Sequence, residues 1–196
     1  MMMKDNRKVL YGLVALALVL SVVGISIGFA SMSQDLTISG TTEVVPASWK
    51  IKFDNLSSPA ILGNAEVTTA PTIQGDTHIG NYAIKLTMPG DSVTYTFDVV
   101  NDGTIDAKLT SLVKAAPTFT ASGTNNAGTD ATTVQSNFVY ELTYADGSAI
   151  GVNDELDAGD TVGMKLVVGY DTNATALPQD KVSVTGMDIT LTYGQN

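Results

Sequence analysis

The chain has 196 residues, 44% of them apolar and 15% charged, with no cysteine, one histidine and a formal charge of −10. Such acidity argues against a nucleic-acid partner, whose phosphates it would repel, and the absence of thiols excludes disulfides and thiolate metal sites. Beyond the first thirty residues Thr and Gly outweigh the helix formers, which selects an all-β class with enough apolar residues for a substantial core.

Residues 1–8 carry Lys4, Arg7 and Lys8 against Asp5, and an uncharged, mostly apolar run follows from Val9 to Ala30. A basic head before such a run marks export or membrane anchoring, and the run is expected to form one hydrophobic helix. Gly28 and Ala30 place small residues where a signal peptidase reads, so cleavage before Ser31 is the preferred expectation. The run is also long enough to span a bilayer, which keeps an uncleaved anchor open. Either way the remainder is expected outside the cytoplasmic membrane, extracellular or at the cell surface, touching membrane only through residues 1–30. That remainder holds 7 basic and 19 acidic residues, a net of −12.

Residues 31–45 form a separate segment. From Asp35 to Val44, Leu36, Ile38 and Val44 fall on one face and Asp35, Thr37, Ser39 and Glu43 on the other, which predicts a strand. Such a strand pairs either with its own sheet or with that of a neighbouring subunit. A domain covering 46–196 follows. Trp49, Ile51 and Phe53 alternate and predict a half-buried strand with Trp49 as its core anchor. Asp54 to Thr77 reads as loops with one or two short strands, and Tyr82, Ile84 and Leu86 as a strand.

The most regular stretch runs from Leu86 to Leu112. Pro89-Gly90-Asp91 is a turn by its chemistry, and Val93, Tyr95, Phe97 and Val99 alternate with polar residues behind it. Asn101-Asp102-Gly103 turns the chain again before Ile105, Ala107 and Leu109, giving a hairpin or a strand and its return in a second sheet. Pro117 to Gln135 has no sustained apolar period and predicts a surface insertion. Further alternations follow at Phe138 to Tyr144 and, after Asp157-Ala158-Gly159-Asp160, at Val162 to Val168; the last offers Ile189, Leu191 and Tyr193 to the core. The two turn-then-strand units suggest similar positions in two packed sheets. The whole predicts one antiparallel β-sandwich of about eight to ten strands, with helix almost confined to the first thirty residues.

The export segment closing in Gly28-Phe29-Ala30, the early strand through Leu36 and Ile38, and Pro89-Gly90-Asp91-Ser92-Val93 leading through Phe97 to Asn101-Asp102-Gly103-Thr104-Ile105 carry a resemblance. The chain resembles the TasA and camelysin family of secreted biofilm-matrix fibre subunits. That resemblance implies a jelly-roll β-sandwich, processing by a dedicated signal peptidase, and head-to-tail self-assembly in which each subunit lends its N-terminal strand to the next. Leu36, Ile38 and Val44 are the donor-strand residues on this view. The competing expectation is a membrane-anchored or secreted monomeric adhesin or binding module using the Pro117–Gln135 insertion.

Part of that family carries a metalloprotease label, yet His78 cannot supply a paired-histidine zinc motif alone. No nucleophile elbow, phosphate loop or dinucleotide fingerprint is present, so no catalytic, cofactor or metal residue is assigned and a non-enzyme is expected. Asn153, Asp154, Glu155, Asp157 and Asp160 cluster hard oxygen donors without EF-hand spacing, leaving weak calcium binding near Asp154 open. Asn55 and Asn173 head formal glycosylation sequons.

Overall fold

The structure, a computed structural model, describes residues 5–30, 37–123 and 126–196, with side chains in the first stretch described from Arg7 to Ser21. It divides into two units, Met1–Val45 and Pro46–Asn196.

The first unit contains helix α1 (Asp5–Ala30). Its described side chains are exposed, and the run from Val9 is apolar on every side, a pattern that requires an apolar environment. Among the described residues, which for the α1 side chains end at Ser21, no helix is long and apolar enough to cross a membrane. Gly28 and Ala30 contribute backbone to the end of α1. The Ala30 side chain, and Ser31 and Leu36 entirely, lie outside the described residues. The strand expected from Asp35 to Val44 is not formed over its described part. Thr37 to Val45 has no regular structure, Ile38 is fully exposed and Val44 is 87% exposed. Alternation supplies a face, but a strand also needs a neighbour for its N–H and C=O groups, and among the described residues no strand pairs with this stretch.

The second unit opens with β1 (Ile51–Asp54), β2 (Ala60–Leu62), β3 (Glu66–Thr69), β4 (Thr72–Gln74), β5 (His78–Gly80) and β6 (Ala83–Lys85). The longer strands β7 (Ser92–Asn101) and β8 (Ala107–Lys114) follow, then β9 (Thr118–Ala121), helix α2 (Ala127–Asn137) and β10 (Phe138–Tyr144). The chain closes through β11 (Glu155–Leu156), β12 (Thr161–Tyr170), β13 (Val182–Thr185) and β14 (Ile189–Gln195). The protein is mostly β, and its strand pairings are antiparallel.

One five-stranded sheet forms the base. β7 lies between β12 on one edge and β1 and β2 in tandem on the other, and β10 extends the sheet beyond β12. The tandem arises because Asn55, with φ of 50°, breaks an edge strand in two. Ser57 bridges the break: its N–H donates to Thr96 O at 2.8 Å, and its Oγ accepts from Thr96 N–H at 3.0 Å. Interruptions of this kind raise the strand count among the described residues to fourteen, above the eight to ten expected. The remaining strands form β11-β8-β14 and the pairs β13-β9, β3-β6 and β4-β5.

The alternation in β7 is realised as read: Val93, Tyr95, Phe97, Val99 and Asn101 are buried and the residues between them are not. Met164, Leu166 and Val168 of β12 and Tyr140 of β10 extend this apolar face, and Ile84, Leu156, Leu191 and Tyr193 pack against it from other strands. Full burial of each apolar side chain contributes about 1.5–3 kcal/mol.

The two turns around β7 are fixed by buried polar residues. Asp91 accepts from the N–H groups of Asn64 (2.7 Å), Thr87 (2.7 Å) and Met88 (2.9 Å) and from Thr87 Oγ1 (3.0 Å). Burial pushes its carboxyl upward in pKa, but these bonds together outweigh that and hold it below the usual carboxylate value. At the far end Asn101 Nδ2 donates to Ile105 O (2.9 Å) and Leu156 O (3.0 Å), while its Oδ1 accepts from Gly103 N–H (3.1 Å). Gly103 is required there, since a Cβ would lie 2.6 Å from Ser48 O.

Of the two arrangements expected after Asn101-Asp102-Gly103, the return in another sheet is the one formed: β8 pairs with β11 and β14, not with β7. Three other expectations are corrected. β7 and β12 are neighbours in one sheet, so the two similar turns do not mark two packed sheets. Each instead bonds the end of the other strand, with Asn101 N–H donating to Asp160 O and Tyr170 N–H to Asp91 O. Trp49 is 42% exposed and lies before β1. The backbone on either side of it bonds the turn after β7, with Thr104 N–H donating to Ser48 O and Asp102 N–H to Lys50 O, and Trp49 lines one hollow with Ile51 and Phe53, so it shares their face without being buried. Finally, the 117–135 stretch contains β9 and most of α2. Its buried helical positions are Asp130 and Val134, so half of the buried face is a carboxylate and no apolar period shows in the sequence. The polar side chains of α2 bond back along it, as in Thr132 Oγ1 to Gly128 O and Ser136 Oγ to Thr132 O.

Candidate functional site

β6 and β13 are each paired along one edge only among the described residues, β6 with β3 and β13 with β9. Residues of both line a groove of about 690 Å³. Ile84, Leu86, Val182 and Val184 line it and are half-buried; Ala83, Lys85, Thr87, Lys181 and Ser183, between and beside them, also line it and are exposed. The buried Val168 and Tyr170 of β12 and the half-buried Phe138 of β10 complete the apolar lining. Its lining mixes these apolar side chains with polar and charged ones, Thr68, Lys85, Thr87, Asp180, Lys181 and Ser183 among them, a mixture that suits a strand with one apolar and one polar face.

Its outer side is held by α2 and the loop before β13. The buried Asp130 accepts from the N–H groups of Gln179 (3.0 Å) and Asp180 (2.9 Å), and Asn126 Nδ2 donates to Gln179 Oε1 (2.7 Å). Tyr170 Oη donates to Ala176 O at 3.1 Å, and burial pushes its hydroxyl pKa up. These contacts position Leu177 and Pro178, which also line the groove. Nearby, Tyr140 Oη donates to Met187 O at 2.5 Å, and its hydroxyl is pushed upward first by burial and then by the neighbouring Tyr82.

The residues singled out from the sequence do not converge on one chemical site. Ile38 and Val44 lie in the first unit, exposed and without regular structure, and Leu36 and Ser31 are not described. His78 begins β5 and is exposed. The Asp154 carboxylate accepts from Tyr144 Oη (2.5 Å) and Gly151 N–H (2.7 Å), which hold it below its ordinary pKa, Tyr144 most strongly. No group of three or more His, Cys, Asp or Glu that could hold a metal ion occurs among the described residues. Asn55 Nδ2 donates to Asp98 Oδ2 at 2.7 Å, and Asn173 Nδ2 to Asp171 Oδ1 at 3.1 Å.

Sequence reasoning missed the groove walls and Asp130. The half-buried alternation of Val182 and Val184 was legible, but their sharing one groove with Ile84 arises from contacts between distant segments. No family model, curated protein or solved structure matches this chain.

Proposed function

We propose that this chain is an exported structural protein, the subunit of an extracellular filament, and that it has no catalytic role. In this reading the second unit is a jelly-roll-like β-sandwich whose second layer is interrupted at the groove between β6 and β13. Residues 1–30 direct export and are removed by a signal peptidase after Ala30. The segment through Leu36, Ile38 and Val44 of one copy then enters the groove of the next as the missing strand.

The observation that carries this reading is the complementarity of two parts of the chain. One is a groove with apolar walls between two strands paired on one edge only. The other is a stretch, Thr37 to Val45, that alternates like a strand yet has no regular structure and exposes Ile38 and Val44. Added strands gain backbone pairing along the segment and burial of alternate side chains. For Ile38 and Val44 that burial is worth about 1.5–3 kcal/mol each. Because the donating and accepting surfaces differ, the contact does not close on itself and propagates as a fibre.

Negative-stain microscopy of the chain beginning at Ser31, beside the same chain carrying Ile38→Asp and Val44→Asp, tests this. Filaments from the first and only monomers from the second are expected. Filaments from both would refute strand donation, and monomers from both would favour a monomeric binding module. Caseinolytic activity of the metal-supplemented protein that disappears with His78→Ala would overturn the non-catalytic assignment.

A further inference from the structure

The two lips of the groove carry cations in a strongly acidic protein. Lys85 and Lys181 are both exposed and occupy alternation positions beside the inward Ile84 and Val182. Lys85 is already 3.7 Å from Glu66. Lys181 makes no ion pair among the described residues, and the carboxylate of the adjacent Asp180 lies against Gly123. Across from these lips, in a second copy, the stretch from Thr37 to Val45 contains one charged residue, Glu43. With Ile38 and Val44 facing inward, a period of two puts Glu43 outward, on the same face as the lysines.

Resting on the strand-donation reading above, we infer that the occupant's register and direction are set by Glu43 of one copy meeting Lys181 of the next, with the segment antiparallel to β13. Direction follows from length. Antiparallel pairing from Glu43 opposite Lys181 sets Thr42 opposite Val182, Thr41 opposite Ser183, Gly40 opposite Val184 and Ile38 opposite Gly186, along the whole of β13. Parallel pairing from the same point carries Ile38 back to the level of Ala176, ahead of the strand. The antiparallel register also keeps faces matched: Thr42 and Gly40 share the inward side with Val182 and Val184, and Thr41 shares the outward side with Ser183. A slip of one residue would turn Ile38 and Val44 to solvent and bring Glu43 down onto the apolar lining. The charge pair therefore opposes such slips and selects this chain's own segment over a neutral or basic strand.

The chain has no cysteine, so introduced thiols report the register directly. The chain beginning at Ser31 and carrying Thr41→Cys and Ser183→Cys is oxidised and run on a non-reducing gel, beside a Ser39→Cys, Ser183→Cys control two positions out of register. A ladder of covalent oligomers from the first pair and not from the control is expected. A covalently closed monomer would show that the segment pairs within its own chain, and equal ladders or none would refute the register. In parallel, Glu43→Lys and Lys181→Glu are each expected to slow assembly at least tenfold at low salt, and the double exchange to restore it. Single variants that assemble like the parent, or a double exchange no better than either single, would overturn the charge pairing. A variant lacking residues 37–45 separates the two levels. If it still assembles, strand donation itself fails; if it does not while the exchanges have no effect, only the register fails.

Discussion

β7 is hydrogen-bonded along both edges, to β12 over nine residue pairs and to β1 and β2 on the other side, whereas β6 and β13 are strands of three and four residues paired, among the described residues, on one side. The first region is complete within one chain. The second contains the groove and half-buried apolar walls. The difference separates two kinds of strand: those of the five-stranded sheet are tied into one large ladder, whereas β6 and β13 belong to two-stranded pairs and, on the reading proposed above, would accept another strand. Long central strands gain cross-strand contacts on both flanks, and short edge strands leave backbone groups available.

The comparison predicts a graded set of responses. Met164 is fully buried at the centre of the complete sheet, so Met164→Ala is expected to lower the unfolding free energy by about 2–5 kcal/mol, read as an earlier midpoint in urea. A loss under about 1 kcal/mol would mean that this sheet does not dominate stability. Asp91→Ala leaves three backbone N–H groups without their acceptor, and a loss of about 2–3 kcal/mol is expected.

Asp91 also gives the comparison a pH dependence. Its folded carboxyl titrates below the unfolded value of about 3.9, so the folded state favours the deprotonated form. The stability it contributes is fully present above the unfolded value and is lost as pH falls through the lower folded one. In Asp91→Asn that acid-limb loss is expected to shrink, as checked by urea midpoints from pH 6 down to pH 2.5. An unchanged slope would assign the acid sensitivity to other carboxylates.

Asp130→Ala releases two N–H groups beside the groove and is expected to cost about 1–2 kcal/mol, with faster amide exchange at Gln179 and Asp180. The smallest effect on stability sharpens the contrast most. Val184 is half-buried in the groove, so Val184→Asp is expected to cost about 1 kcal/mol or less while abolishing filaments. Filaments at the parental level would place the joint elsewhere.

Local chemistry determined a good part of this protein. The period of two in Val93 to Val99, in Phe138 to Tyr144 and in Val162 to Val168 set strands and their inward faces, because side-chain direction in a strand depends only on position. Pro89-Gly90-Asp91 and Asn101-Asp102-Gly103 marked the ends of β7 through turn chemistry, with Gly90 at φ of 88°. Tertiary structure alone decided which strands are neighbours, since register and partner depend on contacts between segments far apart in the chain. It placed β7 beside β12 and sent β8 into another sheet. It made a helix of residues 127–137 by burying the Asp130 carboxylate against two loop N–H groups, an arrangement that no apolar pattern announces. It left Trp49 exposed although it shares a face with Ile51 and Phe53, and it left Thr37 to Val45 without regular structure, because a strand forms only where another backbone meets its hydrogen-bonding groups.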